Sequence, residues 1–132
     1  MTRKSIGAVL TGVLAVVVVT TLVDILLHVT GVFPPLNQPI GDALALLATS
    51  YRIAIGIGAG WLTARLAPNH PMRHAMILGA IGVVLGLVGV VATWNLGLGP
   101  RWYPLSLVVL ALPQSWAGAK LFERQRRTAR RP

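Results

Sequence analysis

Three side chains are of a type, and in a place, that could do chemistry: Asp24, His28 and Arg52. Each interrupts a run that is otherwise apolar. Asp24 and His28 stand four residues apart, so on a helix they share a face, one turn above the other. Arg52 lies inside Leu-Ala-Leu-Leu-Ala-Thr-Ser-Tyr-Arg-Ile-Ala-Ile-Gly-Ile-Gly-Ala-Gly-Trp, residues 44–61, where its neighbours are apolar or small. An arginine near the middle of a membrane-spanning helix costs at least ~3 kcal/mol on insertion scales, so it needs a partner or a task. Asp24 is the candidate partner. A carboxylate and a guanidinium form a charge-assisted pair, two-pronged when geometry allows, that offsets much of the desolvation of both groups. Two chemistries follow. In the first, Asp24 and Arg52 make a buried structural ion pair that sets how the first two helices dock. In the second they line a polar cavity, with Asp24 carrying a proton or cation, Arg52 meeting an anion or acting as counter-charge, and His28 gating or relaying.

No other constellation competes. The chain has no cysteine, which excludes disulfides, thiolate metal sites and iron–sulfur clusters. A haem held between helices needs two histidines at matching depth, and His28 lies far from His70 and His74 in any simple helical arrangement. Those two histidines read as interfacial, with room for no more than a weak metal or headgroup contact. Catalytic zinc needs three clustered ligands, and no serine–histidine–acid or lysine–acid set is visible. The expectation is a protein without a catalytic residue, metal or cofactor, and not an enzyme.

The elements that must hold the trio are membrane helices. Of the 132 residues 55% are hydrophobic and only 11% charged, against roughly a quarter charged in soluble domains. The net charge of +9 invites a nucleic-acid reading, but the basic residues sit beside apolar stretches rather than along a basic face, which argues against one. Residues 5–29 form a first helix behind a short basic lead. Its apolar run exceeds the 7–15 residues of a signal-peptide core, and no small-x-small cleavage site follows, so it reads as an uncleaved span. Residues 30–41, with three prolines and two glycines, form a loop, and Asp42 is placed to cap the second helix, residues 43–66. In that helix Arg52, Gly56 and Gly60 share one face, suited to close approach by another helix.

The third helix, residues 75–96, carries the clearest pattern. Ala75, Gly79, Gly82, Gly86, Gly89 and Thr93 recur at alternating spacings of four and three, a seam of small residues for close packing. The fourth, residues 104–122, starts on Pro104 and contains Pro113, which frees the carbonyl of Val109 and predicts a kink. Residues 123–132 read as a mobile basic tail able to hold anionic lipid headgroups.

Four spans put both termini on one side. That side carries Arg3, Lys4, Arg65, Arg73, Lys120, Arg124, Arg126, Arg127, Arg130 and Arg131, while the other carries Arg101. This bias predicts cytoplasmic termini. Arg52 then lies roughly 15 Å below the outer end of its helix and Asp24 roughly 8–14 Å below the outer end of its own, close enough in depth to meet.

Several segments together resemble a family of small bacterial four-helix inner-membrane proteins of uncharacterised activity. They are Gly-Val-Phe-Pro-Pro-Leu-Asn-Gln-Pro at 31–39, Ala-Thr-Ser-Tyr-Arg at 48–52, Thr-Ala-Arg-Leu-Ala-Pro at 63–68, Pro-Met-Arg-His-Ala at 71–75, Ala-Thr-Trp-Asn at 92–95, Trp-Tyr-Pro at 102–104 and Leu-Pro-Gln-Ser-Trp at 112–116. The resemblance covers nearly the whole chain and implies the architecture, with no activity, cofactor or site residue attached. The expectation is therefore an all-α integral membrane bundle of four transmembrane helices, one domain, in the bacterial inner membrane. The glycine seam points to self-association or an accessory role in a larger membrane complex, with a minimal transporter or channel using Asp24, Arg52 and His28 as the alternative.

Overall fold

The computed structural model describes residues 2–35, 38–97 and 99–130, without the side chain of Arg130. Leu36 and Asn37 of the proline-rich loop, and Arg131 and Pro132 of the basic tail, lie outside the described residues. Four helices follow one another: α1 Arg3–Val29, α2 Asp42–Leu66, α3 Pro71–Thr93 and α4 Trp102–Arg130. All four are long and apolar enough to cross a membrane. Both chain ends and the α2–α3 turn gather at one end of the bundle, here the terminal end. The 30–41 and 94–101 connections gather at the other, the loop end.

Local chemistry explains most of the boundaries. The Thr2 hydroxyl caps α1 by accepting the Ser5 amide at 3.2 Å. Past Val29 the chain turns through Gly31 at φ +81, a left-handed conformation that glycine adopts without penalty. The start of α2 corrects the expected role of Asp42. Gly41 is the N-cap and Asp42 is already in the first turn, with no side-chain capping bond. Its carboxylate instead accepts the Trp102 indole at 2.9 Å, tying α2 to α4 at the loop end. It keeps the favourable position against the helix dipole.

Two other boundaries move. Helix α3 begins at Pro71, four residues before the expected start, because proline suits a first helical position. His70, at φ 42, makes the left-handed bend that precedes it. Helix α4 passes through Pro113 and continues to Arg130, so residues 123–130 are helical rather than a loose tail. The segment after Pro113 holds only one glycine and is rich in good helix formers. Lys120 pairs with Glu123 at 3.7 Å, and Trp61 on α2 donates to Gln125 at 2.7 Å, both of which favour the extension.

The core is made of small residues. Ala45, Ala48, Ala59, Thr63, Ala64, Ala75, Ala111 and Ala119 are buried, while leucines and valines cover the outside. In a bilayer, large apolar side chains gain nothing by leaving lipid, and close backbone approach becomes the attractive contact. Helix α4 is the hub, packing extensively on α2 and α3. A Cβ on Gly60 would stand 2.6 Å from the Ser115 carbonyl oxygen, and one on Gly118 would stand 2.5 Å from the Trp61 amide nitrogen, so the α2 and α4 backbones touch. The seam on α3 faces α4 as well. A Cβ on Gly79, Gly82 or Gly86 would meet Leu112, Ala111 or Val108 at 2.9, 3.2 and 2.8 Å, whereas Gly89 has open space. Three of the four seam glycines are thus spent inside the chain, and the seam does not by itself call for a second protein.

Helix α1 is the loosest element. It packs on α2 and more sparingly on α3, and among the described residues it does not touch α4. Its docking is concentrated near its start, where Ser5, Ala8, Val9 and Gly12 are buried. The Thr63 hydroxyl donates to the Ala8 carbonyl at 3.2 Å, and His74 Nε2 meets the Ser5 hydroxyl at 2.8 Å. His74, at 4% exposure, is therefore a buried clasp between α1 and α3 rather than an interfacial side chain.

Candidate functional site

Toward the loop end α1 and α3 separate, and the space between the helices opens into a cavity of about 580 Å³. Its floor is polar. Asp24 projects from α1, Tyr51 and Arg52 from α2 and Tyr103 from the first turn of α4. Its sides are apolar, built from Phe33, Pro34 and Ile40 of the first connection and Leu85 and Leu107 of α3 and α4. Arg101 stands at the rim with its guanidinium 4.7 Å from the Trp94 ring centroid, a cation–π contact.

Arg52 Nη2 donates to Asp24 Oδ2 at 2.7 Å. The pair is single-pronged, because the Tyr51 hydroxyl donates to the other carboxylate oxygen, Oδ1. Adjacent residues on α2 so clamp one carboxylate from α1. The side chains of Arg52 and Asp24 are 26% and 31% exposed, which places them on a cavity wall rather than in a dry helix–helix contact. This geometry has a chemical consequence. Both oxygens of Asp24 are engaged by donors, leaving little acceptor capacity for a cation. The Arg52 side chain stays 26% exposed, while its Nε is buried without a hydrogen-bond partner among the described residues. The cluster offers positive charge and N–H groups, not a free carboxylate.

His28 shares the α1 face with Asp24 but is not joined to its carboxylate. Its Nδ1 lies 2.7 Å from the Asp24 backbone carbonyl and its ring tilts against Phe33 at 5.4 Å. A carbonyl oxygen can only accept, so Nδ1 carries a proton and donates it there. His28 lines the cavity and helps seat the first connection.

A second, smaller space of about 250 Å³ lies deeper, between the middle of α1 and the α3–α4 pair. Arg52, Leu85, Gly86 and Leu107 line both spaces, so Arg52 stands at the boundary between them. Gln114 reaches into this inner space. Gly56 provides the room for it, since a Cβ there would lie 2.5 Å from Gln114 Cδ. Gln114 Oε1 is buried without a partner among the described residues. Below this level the small-residue docking of α1 closes the bundle.

Of the residues singled out from sequence, Asp24, Arg52 and His28 are brought to one cavity. Gly86 and Gly89 line its α3 side, while Gly60, Gly79 and Gly82 serve helix contacts. Tyr51 and Tyr103 were missed. The signal for Tyr51 was present, a phenol adjoining the buried arginine in an apolar run, but its direction depends on where α1 sits. Only the path of α4 brings Tyr103 beside Arg52. Comparison with known protein families, with curated proteins and with solved structures returns no match.

Proposed function

We propose that this chain is a four-span protein of the bacterial inner membrane, termini cytoplasmic, that binds a small solute from the outside as a minimal transporter. The observation that carries this reading is that Asp24 and Arg52 sit on the wall of an open 580 Å³ cavity instead of within packed helices. A purely structural pair gains most from a dry, two-pronged geometry. Here the pair is single-pronged, part-exposed and flanked by further polar side chains. The distribution of basic residues supports cytoplasmic termini, so the loop end and its cavity face outward. The packed docking of α1 at the terminal end closes the opposite side, as in an outward-open carrier.

The accessory-subunit reading loses its main support, because the α3 seam is occupied by α4. Association with a partner or a second copy would use the lipid-facing surfaces of α1 and α3.

The absence of cysteine allows a direct test. Gly89 lines the cavity with open space around it, so Gly89→Cys introduces a thiol without a clash. In intact cells an uncharged, membrane-impermeant, sugar-linked methanethiosulfonate is expected to modify that thiol. No modification would overturn the outward-facing cavity. In proteoliposomes, flux of protons, chloride or radiolabelled octanoate is expected to exceed an Asp24→Asn control. Equal flux for all three would remove the transport reading.

A further inference from the structure

We infer that the cavity takes an amphiphilic organic anion, with its acidic head at Arg52 and its hydrocarbon body in the gap between α1 and α3. The inference rests on the outward-open cavity described above and names the chemical class of its ligand.

Charge comes first. The chain has three acidic residues, and only Asp24 lines the cavity. Asp42 is bonded to Trp102, and Glu123 lies in the far part of α4 beside Lys120, away from the cavity. Against that single carboxylate, already held by Tyr51 and Arg52, the cavity presents two guanidiniums, Arg52 and Arg101. The balance is one positive charge over, and the Arg52 side chain is 26% exposed. A cation would find no free carboxylate there and would meet like charge, whereas a carboxylate or phosphate oxygen would find charge-assisted donors. Arginine suits both head groups, because its planar fork matches either one.

The walls say the rest of the ligand is apolar. Phe33, Pro34, Ile40, Leu85 and Leu107 face the space above the arginine. The opening is also lateral. Helix α3 is buried only near its start, at His74, Ala75, Leu78 and Gly79. Further along, Leu85 lines both spaces and yet is 54% exposed, and Val17 of α1 lines the inner space at 49% exposure. Walls that are at once cavity lining and outer surface mark a gap through which a chain lying in the bilayer can enter. An acidic head drawn to Arg52 would then leave its tail in an apolar environment throughout, with no desolvation of hydrocarbon required. A small inorganic anion would use the charge but none of these walls.

The test uses Gly89→Cys protein in phosphatidylcholine nanodiscs, with protection from the same uncharged, sugar-linked methanethiosulfonate as readout. Sodium octanoate is expected to slow modification in a saturable way, and octyltrimethylammonium and octyl glucoside to leave the rate unchanged. Adding Arg52→Gln or Arg101→Gln should weaken octanoate protection about tenfold, the size of one charge-assisted hydrogen bond. Arg101 is a rim residue, so its variant keeps the test valid if Arg52→Gln fails to fold. Nanodiscs containing phosphatidylglycerol form the second arm. Protection by that lipid without octanoate points to a membrane lipid as the anion, and protection by octanoate alone points to a soluble amphiphile. Equal or stronger protection by the octyl cation would overturn the inference, as would a thiol that is modified freely with no anion slowing it. A thiol that is never modified would instead overturn the cavity itself.

Discussion

Arg52 reaches Asp24 through one nitrogen, Nη2 to Oδ2 at 2.7 Å, because the second carboxylate oxygen belongs to the hydroxyl of the residue before it, Tyr51. This divided clamp joins α1 to α2 where α1 has few other contacts. Removing one partner leaves a polar group over an apolar wall. Asp24→Asn and Arg52→Gln are each expected to lower stability in mild detergent by about 1–3 kcal/mol, and Tyr51→Phe by about 1 kcal/mol. The double variant Asp24→Asn/Arg52→Gln should recover part of the loss, because no unpaired charge remains. Thermal unfolding followed by circular dichroism measures all four. Strict additivity of the two single losses would mean that the pair does not couple.

Backbone contact between α2 and α4 makes a sharper prediction. Gly60→Ala would force a Cβ to 2.6 Å from the Ser115 carbonyl oxygen, and backbone cannot swing aside as a side chain can. The expected cost is roughly 1–3 kcal/mol or more, seen as a lower melting temperature. Gly58→Ala, two residues away with nothing within 4 Å, is the control and should be neutral or slightly stabilising. Similar melting temperatures for the two variants would rule out the close crossing.

At the terminal end, His74 holds α1 through the Ser5 hydroxyl and is itself anchored by the His70 carbonyl at 3.0 Å. His74→Ala should destabilise by about 2 kcal/mol, through a lost hydrogen bond and an unfilled space. Ser5→Ala, which removes only the hydroxyl, should cost about half as much. Protease susceptibility of the α1 segment gives a second readout. Unchanged protection in His74→Ala would show that the clasp does not hold α1.

Orientation is checked with reporters. A green fluorescent protein fused after residue 132 should fluoresce, and alkaline phosphatase fused there should be inactive, because the C-terminus is expected to be cytoplasmic. Alkaline phosphatase fused within the 94–101 connection should be active. The reverse pattern would turn the cavity toward the cytoplasm.

Much of this protein is written in local patterns. Largely apolar stretches of about twenty residues, separated by segments rich in proline and glycine, dictate four helices, since inside a bilayer each segment must satisfy its own backbone. The partnership of Asp24 and Arg52 was legible for a related reason. Charges in apolar runs are costly and few, so the choice of partner is almost forced. The three- and four-residue spacing of glycines on α3 announced a close contact. It could not say with what, because a period of 3.6 defines a face and not the helix that covers it.

Tertiary structure decided the rest. That α4 covers both glycine faces, that Trp102 takes Asp42 from its expected cap, and that His74 is buried against Ser5 all depend on which helices are neighbours. So does the openness of the site. Whether a charged pair is sealed or lines a cavity is set by how closely α1 and α3 pack beside it, and nothing in the residues of a single helix encodes that. The chain specifies local hydrogen bonding and depth; the packing of four helices decides what Arg52 faces.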